Sequence, residues 1–597
     1  MNVTACRSLS ASDKPSDIEN IYNKLETYIT MRDGVRLFTS IYIPKDTNTN
    51  YPILMQRTPY SVAPYGKQQF KKSLGPGGDA SKRLYIYVYQ DVRGRHMSEG
   101  NFEEMTPAFS TTNHTGTDES TDTYDTIEWL LKNISGTNGN VGIYGISYPG
   151  FYATASLPNA HPAIKAVSPQ APVTDEFEGD DVYHRGAFFV MDNFQFLNFF
   201  DARRSEPRQV NPVITNAEET QDAYQFFLEA GPIKNLDKYY FKGGSKIWLE
   251  YVEHSTKDSY WQKRDIRPQL TNVKPATLVV GGWFDAENLF GALETYKALE
   301  TQNKNVNKLV MGPWTHGAWA GSEWKDFAGL DFGFNTITRY REIEDNFFDF
   351  YLKGVGENND TEAHIFITGK NEWTDFRKWP PSDVVNTAFY FGADHALTTT
   401  VTNGTDTGSF DSYLSDPAHP TPYINQTSGG RIDEYMAADQ RFASSRSDVL
   451  YFVSTVLEQP TLVTGPVEVR LFASTSGTDA DFVVKLIDVE PNGVQRLIRA
   501  EILRGKFRNS YEKPQPFIPG QVTPVNFKLN DVAHTFLAGH AIMVQVQSSW
   551  FPLTDLNPNH FMNIPDAEKN DFEKATIKIF RSVQHPSQVV LPINTNQ

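Results

Sequence analysis

Gly145-Ile146-Ser147-Tyr148-Pro149-Gly150 is the stretch on which the reading of this chain turns. Just upstream, Asn140-Val141-Gly142-Ile143-Tyr144 has the composition of a short buried strand. Just downstream, Phe151-Tyr152-Ala153-Thr154-Ala155-Ser156-Leu157 reads as a helix that opens with small residues. A Gly-x-Ser-x-Gly between a strand and a helix is a nucleophile elbow, a turn so tight that glycines are needed at two positions beside the serine. The turn lifts the serine Oγ clear of the sheet and aims the helix N-terminus at a reacting carbonyl. An ordinary glycine turn is the alternative reading of the same residues.

A serine hydroxyl is a weak nucleophile at neutral pH and needs a base, which in turn needs a group to orient it. In elbow folds these partners follow in the order serine, acid, histidine, each at the end of a later strand. Ala276-Thr277-Leu278-Val279-Val280 reads as a strand and leads to Asp285. Lys308-Leu309-Val310-Met311 reads as another and leads to His316, with a helical pattern of Leu289, Leu293, Tyr296 and Leu299 between them. Asp285 and His316 thus fall at the carboxyl ends of successive parallel strands, where open α/β sheets place their sites. Taken singly, each has an alternative, a helix-capping aspartate and a loop histidine. Order and context together favour a triad of Ser147, Asp285 and His316.

The rest of the chain suits a large enzyme of the α/β class. Its 597 residues exceed what one core usually supports, and 39% hydrophobic with 13% aromatic content is ample for several. A formal net charge of -17 argues against nucleic acid as a partner and is compatible with a cationic substrate. No apolar run reaches the length of a membrane span. Cys6 is the only cysteine, which excludes an internal disulfide. Val3-Thr4-Ala5-Cys6 is similar to a bacterial lipoprotein cleavage box, so an exported, periplasmic or lipid-anchored protein is expected, with a plain N-terminal tail in the cytoplasm as the alternative.

Strand and helix patterns alternate from about Leu25 to Leu157, as in Thr39–Ile43, Pro52–Met55, Leu84–Tyr89 and the helix around Tyr124, Ile127, Leu130 and Leu131. The sequence then turns aromatic, charged and helical, before strands resume at Ala276. Beyond about Glu362 period-two alternation dominates, as in Val467-Glu468-Val469-Arg470-Leu471, with turn clusters such as Pro491-Asn492-Gly493. The expected organisation is an N-terminal arm (1–24), a catalytic α/β core with a mostly parallel sheet (25–158 and 270–361), a helical cap (159–269) and an all-β sandwich of jelly-roll type (362–597).

With these residues in hand, the chain resembles the cocaine esterase and X-prolyl dipeptidyl-peptidase group of α/β-hydrolases, and most closely the bacterial α-amino acid ester hydrolases. The resemblance rests on Met31-Arg32-Asp33-Gly34, Arg57-Thr58-Pro59-Tyr60, Gln90-Asp91-Val92-Arg93-Gly94-Arg95, the elbow, Gly179-Asp180-Asp181, Gly281-Gly282-Trp283-Phe284-Asp285 and Gly312-Pro313-Trp314-Thr315-His316. It implies that Tyr60, otherwise a turn or core aromatic, donates its phenol to an oxyanion hole together with the backbone N–H of Tyr148. It further implies a cluster of acids for the substrate α-ammonium. Asp181 and Glu287 match two of these, whereas Asn288 stands at the third position and brings no charge. Helix capping by Asp181 and solvent exposure of Glu287 are the alternatives. Asp91 and Arg93 are read as an internal ion pair that fixes a loop.

The function so implied is hydrolysis of α-amino acid esters, with acyl transfer to amines, through an acyl-enzyme that needs no metal and no cofactor. The partners are amino acid esters and amine acceptors, and the resemblance suggests a homo-oligomer. An X-prolyl dipeptidyl aminopeptidase or a cocaine-esterase-like carboxylesterase is the alternative within enzymes. A carbohydrate-binding adhesin built on the β-sandwich is the alternative outside them.

Overall fold

The computed structural model describes residues 18–76, 83–108, 116–216, 220–357, 361–401 and 409–594. The lipoprotein-like box at Cys6 and the polar stretch from Arg7 to Asp17 lie outside these residues. The sheet that carries the site has ten strands, in the spatial order Tyr22–Thr30, Arg36–Pro44, Ile86–Asp91, Tyr51–Thr58, Thr137–Ile146, Ile164–Gln170, Ala276–Gly282, Asn307–Gly312, Ala363–Ile367 and Glu372–Phe376. The strands from Ile86–Asp91 to Ala363–Ile367 run parallel, and the outer pairings are antiparallel. Ile86–Asp91, Ala276–Gly282 and Asn307–Gly312 are buried at every position, the pattern of strands covered on both faces. The covering helices include Glu119–Asn133, Tyr148–Ala155, Leu289–Gln302 and Ile337–Lys353. Glu119–Asn133 starts at Asp118, whose side chain accepts from the Thr121 backbone N–H in a capping box.

Three expected boundaries shift. Tyr22 already pairs with Pro44, so the edge strand begins inside the segment assigned to the arm. Ile164–Gln170 was expected in the cap, yet it lies between the elbow strand and Ala276–Gly282, and the cap starts only after it. The hairpin of Ala363–Ile367 and Glu372–Phe376 was expected in the β-sandwich and instead extends the core sheet, because Leu309 to Met311 pair with Ala363 to Ile365. Each lies at a change of composition, where hydrophobic pattern says little about the sheet a strand joins.

The cap is built on an aromatic cluster in which Phe194, Phe227, Phe241 and Trp248 meet from helices Val190–Phe200, Ala223–Ala230 and Lys246–Glu253 and the turn at Phe241. The C-terminal region forms two antiparallel sheets. Val469 and Leu471 from one share a core with Val484, Leu486 and Val544 from the other. No helix among the described residues is long and apolar enough to cross a membrane.

The expected Asp91–Arg93 pair does not form. Arg93 instead forks onto Asp122 and Asp33. Asp91 accepts from the Val62 and Met97 backbone N–H groups at 2.9 and 3.1 Å and from the Tyr65 hydroxyl at 2.9 Å. A residue at the end of a buried strand has backbone donors close by, and these replace the expected arginine.

Candidate active site

Ser147 sits at the junction of Thr137–Ile146 and Tyr148–Ala155 with φ 69° and ψ −131°, a backbone state that a non-glycine residue holds only when its surroundings enforce it. Here they do. The Ser147 N–H donates to the Gln170 carbonyl at 2.9 Å, and Phe151 N–H donates to the Ser147 carbonyl at 3.0 Å. A Cβ on Gly145 would lie 2.1 Å from the Pro149 carbonyl oxygen, and one on Gly150 would lie 2.5 Å from that of Gln170. Both glycines of the motif are therefore required by close backbone approach. The N–H of Tyr148 is the first of the helix and so has no intrahelical partner, while Pro149 supplies none. The Tyr148 side chain points elsewhere: it stacks on Tyr152 and Phe200, and its hydroxyl accepts from Met105 N–H at 3.0 Å.

Asp285 and His316 are brought together by two loops that lock onto each other. Trp283 N–H donates to Gly312 O at 2.8 Å and Phe284 N–H to Trp314 O at 3.0 Å. His316 Nδ1 lies 3.1 and 3.0 Å from the two Asp285 oxygens, and the Asp285 side chain is fully buried. Backbone N–H groups of Glu287 and Asn288 also donate to Asp285 Oδ1, each at 2.9 Å. The histidine loop reaches the elbow directly, since a Cβ on Gly317 would lie 3.6 Å from Ile146 Cγ2. Behind both, the Gln170 side chain binds Trp319 Nε1 at 2.8 Å and Glu344 at 2.8 Å, tying the segment after His316 to the strand that anchors Ser147.

Tyr60 is the third side to this arrangement. Its hydroxyl lies close enough to the Ser147 side chain for that group to favour the phenolate slightly. Its ring packs edge-on against Tyr148, Phe196 and Phe200, at the meeting of core and cap. Arg95 holds the segment in place by donating to Pro59 O at 3.1 Å and Phe200 O at 2.7 Å, with Phe200 stacked on its guanidinium. Although Tyr60 is 40% exposed as a residue, its phenol is pushed upward by desolvation and by the carboxylates of Asp181 and Glu287. It stays protonated and able to donate.

The acids are less simple than the sequence suggests. Glu287 lies 3.2 Å from His316 Nε2, and Asp181 is tied to the neighbouring Asn288 amide at 3.0 Å, so both acids stand close to the triad histidine and raise its proton affinity. Burial first, then Glu287 and Asp180, raise the Asp181 carboxyl to about 8. Asn288 is completely buried and bridges the pair below: its Nδ2 donates to Asp181 at 3.0 Å and to Asp180 at 3.3 Å. Standing at the position of the third acid, it could have offered its oxygen as an acceptor. Its amide is instead turned with the donors onto the two aspartates, and Oδ1 makes no hydrogen bond. Asp180 takes no part in the opening, because Thr174, Asp175 and Gly291 N–H groups and the Thr174 hydroxyl satisfy it. Asp181 therefore does not cap a helix, and Glu287 does not face solvent alone.

Glu287 has a partner that sequence reasoning missed. Arg431, from the C-terminal region, binds Glu287 through Nη2, Asp192 of the cap through Nη1 and Asp433 through Nε at 2.9 Å. The other Glu287 oxygen lies 3.2 Å from His316 Nε2. Burial works against the Glu287 charge, but His316 and Arg431 more than offset it and hold the carboxyl below its ordinary value. Burial likewise disfavours the imidazolium, yet Asp285, Glu287 and Asp181 lift His316 to about 10. No local signal marks Arg431, which sits in an irregular segment about 140 residues beyond the acid it holds. A separate cavity of about 160 Å³, lined by Trp283, Phe284, Arg496, Arg499, His534 and His540, lies behind the Asp285 loop, and Ser147 is not among its walls.

These residues compose an elbow serine, a carboxylate-oriented histidine and a phenol, a set suited to ester or peptide hydrolysis through serine. Comparison with known proteins agrees. Residues 33–318 match the X-Pro dipeptidyl-peptidase (S15) family, and residues 357–590 match the X-Pro dipeptidyl-peptidase C-terminal non-catalytic domain. Cocaine esterase of Rhodococcus sp. (strain MB1 Bresler) is 30% identical over 95% of this chain and 97% of its own. A solved α-amino acid ester hydrolase is 33% identical with a TM-score of 0.89, over 99% of this chain and 100% of its own. An aminopeptidase from a marine sediment archaeon, Thaumarchaeota archaeon, is 34% identical with a TM-score of 0.89, over 99% of each chain. By sequence, fold and elbow alike, the chain belongs to the S15 family of serine hydrolases, the group of X-Pro dipeptidyl-peptidases and cocaine esterase.

Proposed function

We propose that this hydrolase cleaves esters of α-amino acids and passes the aminoacyl group to water or to an amine. The observation that carries the reading is a pair of half-buried acids beside the triad histidine: Glu287, 3.2 Å from His316 Nε2, and Asp181, joined at 3.0 Å to the amide of Asn288. Around them Asp192 and Asp433 bring further negative charge against the single guanidinium of Arg431, so the recess favours a cation. An α-ammonium there sits a short reach from its own ester carbonyl, which fixes the scissile bond over the serine.

In this reading neutral His316 removes the proton from Ser147 Oγ as the oxygen attacks the ester carbonyl, and Asp285 stabilises the imidazolium that forms. The tetrahedral oxyanion accepts from the Tyr60 hydroxyl and the Tyr148 N–H. His316 returns its proton to the departing alcohol, leaving an aminoacyl-serine. Water or an amine then attacks, again with His316 as base, and Ser147 leaves with its proton restored. With amine acceptors the same cycle makes an amide bond, including acylation of a β-lactam amine.

The test compares phenylglycine methyl ester with its N-acetyl derivative. The free amine is expected to be preferred by two orders of magnitude or more in kcat/KM, about 3 kcal/mol; equal rates would remove the reading. A peptidase reading is favoured by the similarity to the archaeal aminopeptidase. It uses the same ammonium site, and an amino acid p-nitroanilide measured beside the ester distinguishes it.

A further inference from the structure

We infer that Glu287, anchored by Arg431 of the C-terminal domain, couples recognition of a substrate cation to release of the base at His316, so that cationic substrates are selected in the chemical step as well as in binding. The inference rests on the amino-ester reading above and goes beyond it by assigning a positioning role to Glu287 and Arg431.

The geometry is specific. His316 Nδ1 faces Asp285, and His316 Nε2 faces Glu287 Oε2 at 3.2 Å. A carboxylate oxygen only accepts, so the charges of Asp285 and Glu287 beside the two ring nitrogens favour a hydrogen on each. With both nitrogens protonated the ring has no lone pair to offer Ser147. Glu287 is kept in this position by its other oxygen, which Arg431 binds while its remaining nitrogens hold Asp192 and Asp433. The charged and titratable groups that bear on the ring are Asp285, Glu287 and Asp181, which raise its proton affinity, with Arg431 acting through Glu287.

An α-ammonium lying between Asp181 and Glu287 changes this balance. It takes up the charge of Glu287, and that of Asp181 as well once the pH nears 8, so the carboxylate at Nε2 that holds the second proton on His316 is compensated. The ring then gives the Nε2 proton to solvent, and the lone pair left behind can accept from Ser147 Oγ. A neutral ester brings no such charge and meets a ring that keeps its proton. The cation of the correct substrate therefore prepares the base that will act on it.

Glu287→Gln keeps the shape and removes the charge. Active sites are counted with a fluorophosphonate, and kcat is measured on neutral p-nitrophenyl acetate and on phenylglycine methyl ester. The expected result is opposite movement: kcat on the neutral ester at pH 7 rises about tenfold and its acid limb moves down by about one pH unit, while the amino ester slows. A neutral-ester rate that falls or stays level, with the acid limb unmoved, overturns the coupling. If the parent enzyme shows no preference for the free amine, the proposed function itself fails. If it does prefer the amine and Glu287→Gln slows both esters equally, only the coupling fails. Should Glu287→Gln not fold, Glu287→Asp withdraws the carboxylate by one methylene, and the same rise on the neutral ester is required of it.

Discussion

Two arginines of the C-terminal domain are surrounded by carboxylates, and they are held in opposite ways. Arg504 is about 2% exposed and forks onto two aspartates, with Nε and Nη2 on Asp481 and Nη1 and Nη2 on Asp555, at 2.8 to 3.0 Å. Asp555 also receives Phe188 N–H and Asp481 receives Asn557, so this network joins cap and sandwich and closes on itself. Arg431 instead gives one nitrogen to each of three acids from three parts of the chain, and one of these acids still reaches the triad histidine. A closed buried network holds shape, because every charge is answered inside it. A network that passes one carboxylate on to a titrating group can change state when another charge arrives.

The hardest way to break this comparison is to remove the nucleophile that gives the open network its meaning. Ser147→Ala should lower turnover of amino esters by about 10⁵-fold and abolish fluorophosphonate labelling, while the unfolding midpoint stays in place. Full activity in that variant would leave the Arg431 cluster without chemistry to serve. Next in size, Arg504→Met should cost about 3–5 kcal/mol in denaturant unfolding, because Asp481 and Asp555 are left buried and unpaired, with the pH profile of surviving enzyme unaltered. Tyr60→Phe should lower kcat about 100-fold, ~3 kcal/mol, with little change in KM, since its hydrogen bond is strongest to the oxyanion. Arg431→Met is the counterpart of the Arg504 change and has the opposite signature. It leaves the Glu287 charge to His316 alone, so the acid limb on a neutral ester should move up by about one pH unit.

The smallest effect concerns Asp181. With its carboxyl raised to about 8 by burial and by Glu287, it is largely neutral below that pH and ionised above it. KM for an amino ester should therefore fall as pH rises toward 8, and KM for the N-acetyl ester should stay flat. The sign for stability is the reverse. Between the ordinary carboxylate range and about pH 8 the folded chain keeps a proton that the unfolded chain has lost, so this one group contributes less stability as pH rises through that window.

What the sequence disclosed follows from how local each signal is. Ser147, Asp285 and His316 each stand within a few residues of an apolar strand, and a strand end is legible from composition alone. The elbow glycines carry their own reason, for a Cβ at either would collide with backbone. The resemblance supplied Tyr60, Asp181 and Glu287; of these Glu287 lies 3.2 Å from His316 Nε2, Asp181 is joined to Asn288, and Tyr60 packs on Tyr148 beside the elbow. Hidden from the sequence were facts of distant pairing. Asn288 faces Asp180 and Asp181, more than a hundred residues away, and so serves as a donor to both. Asp91 found backbone donors in place of Arg93. Arg431 lies in a segment without periodicity, and only the folded chain brings it to Glu287.

The C-terminal domain matches a type described as non-catalytic, yet its reach bears on how such proteins diversify. Arg431 grips the residue two places after Asp285, and Arg499 donates to the Trp283 carbonyl two places before it. The loop bearing the triad acid is thus clasped from both ends by a module encoded far downstream. Recombination that exchanged this module between relatives would carry off both clasps, so the two halves are bound to descend together, and a chimaera inherits a working loop only when donor and recipient agree at these contacts.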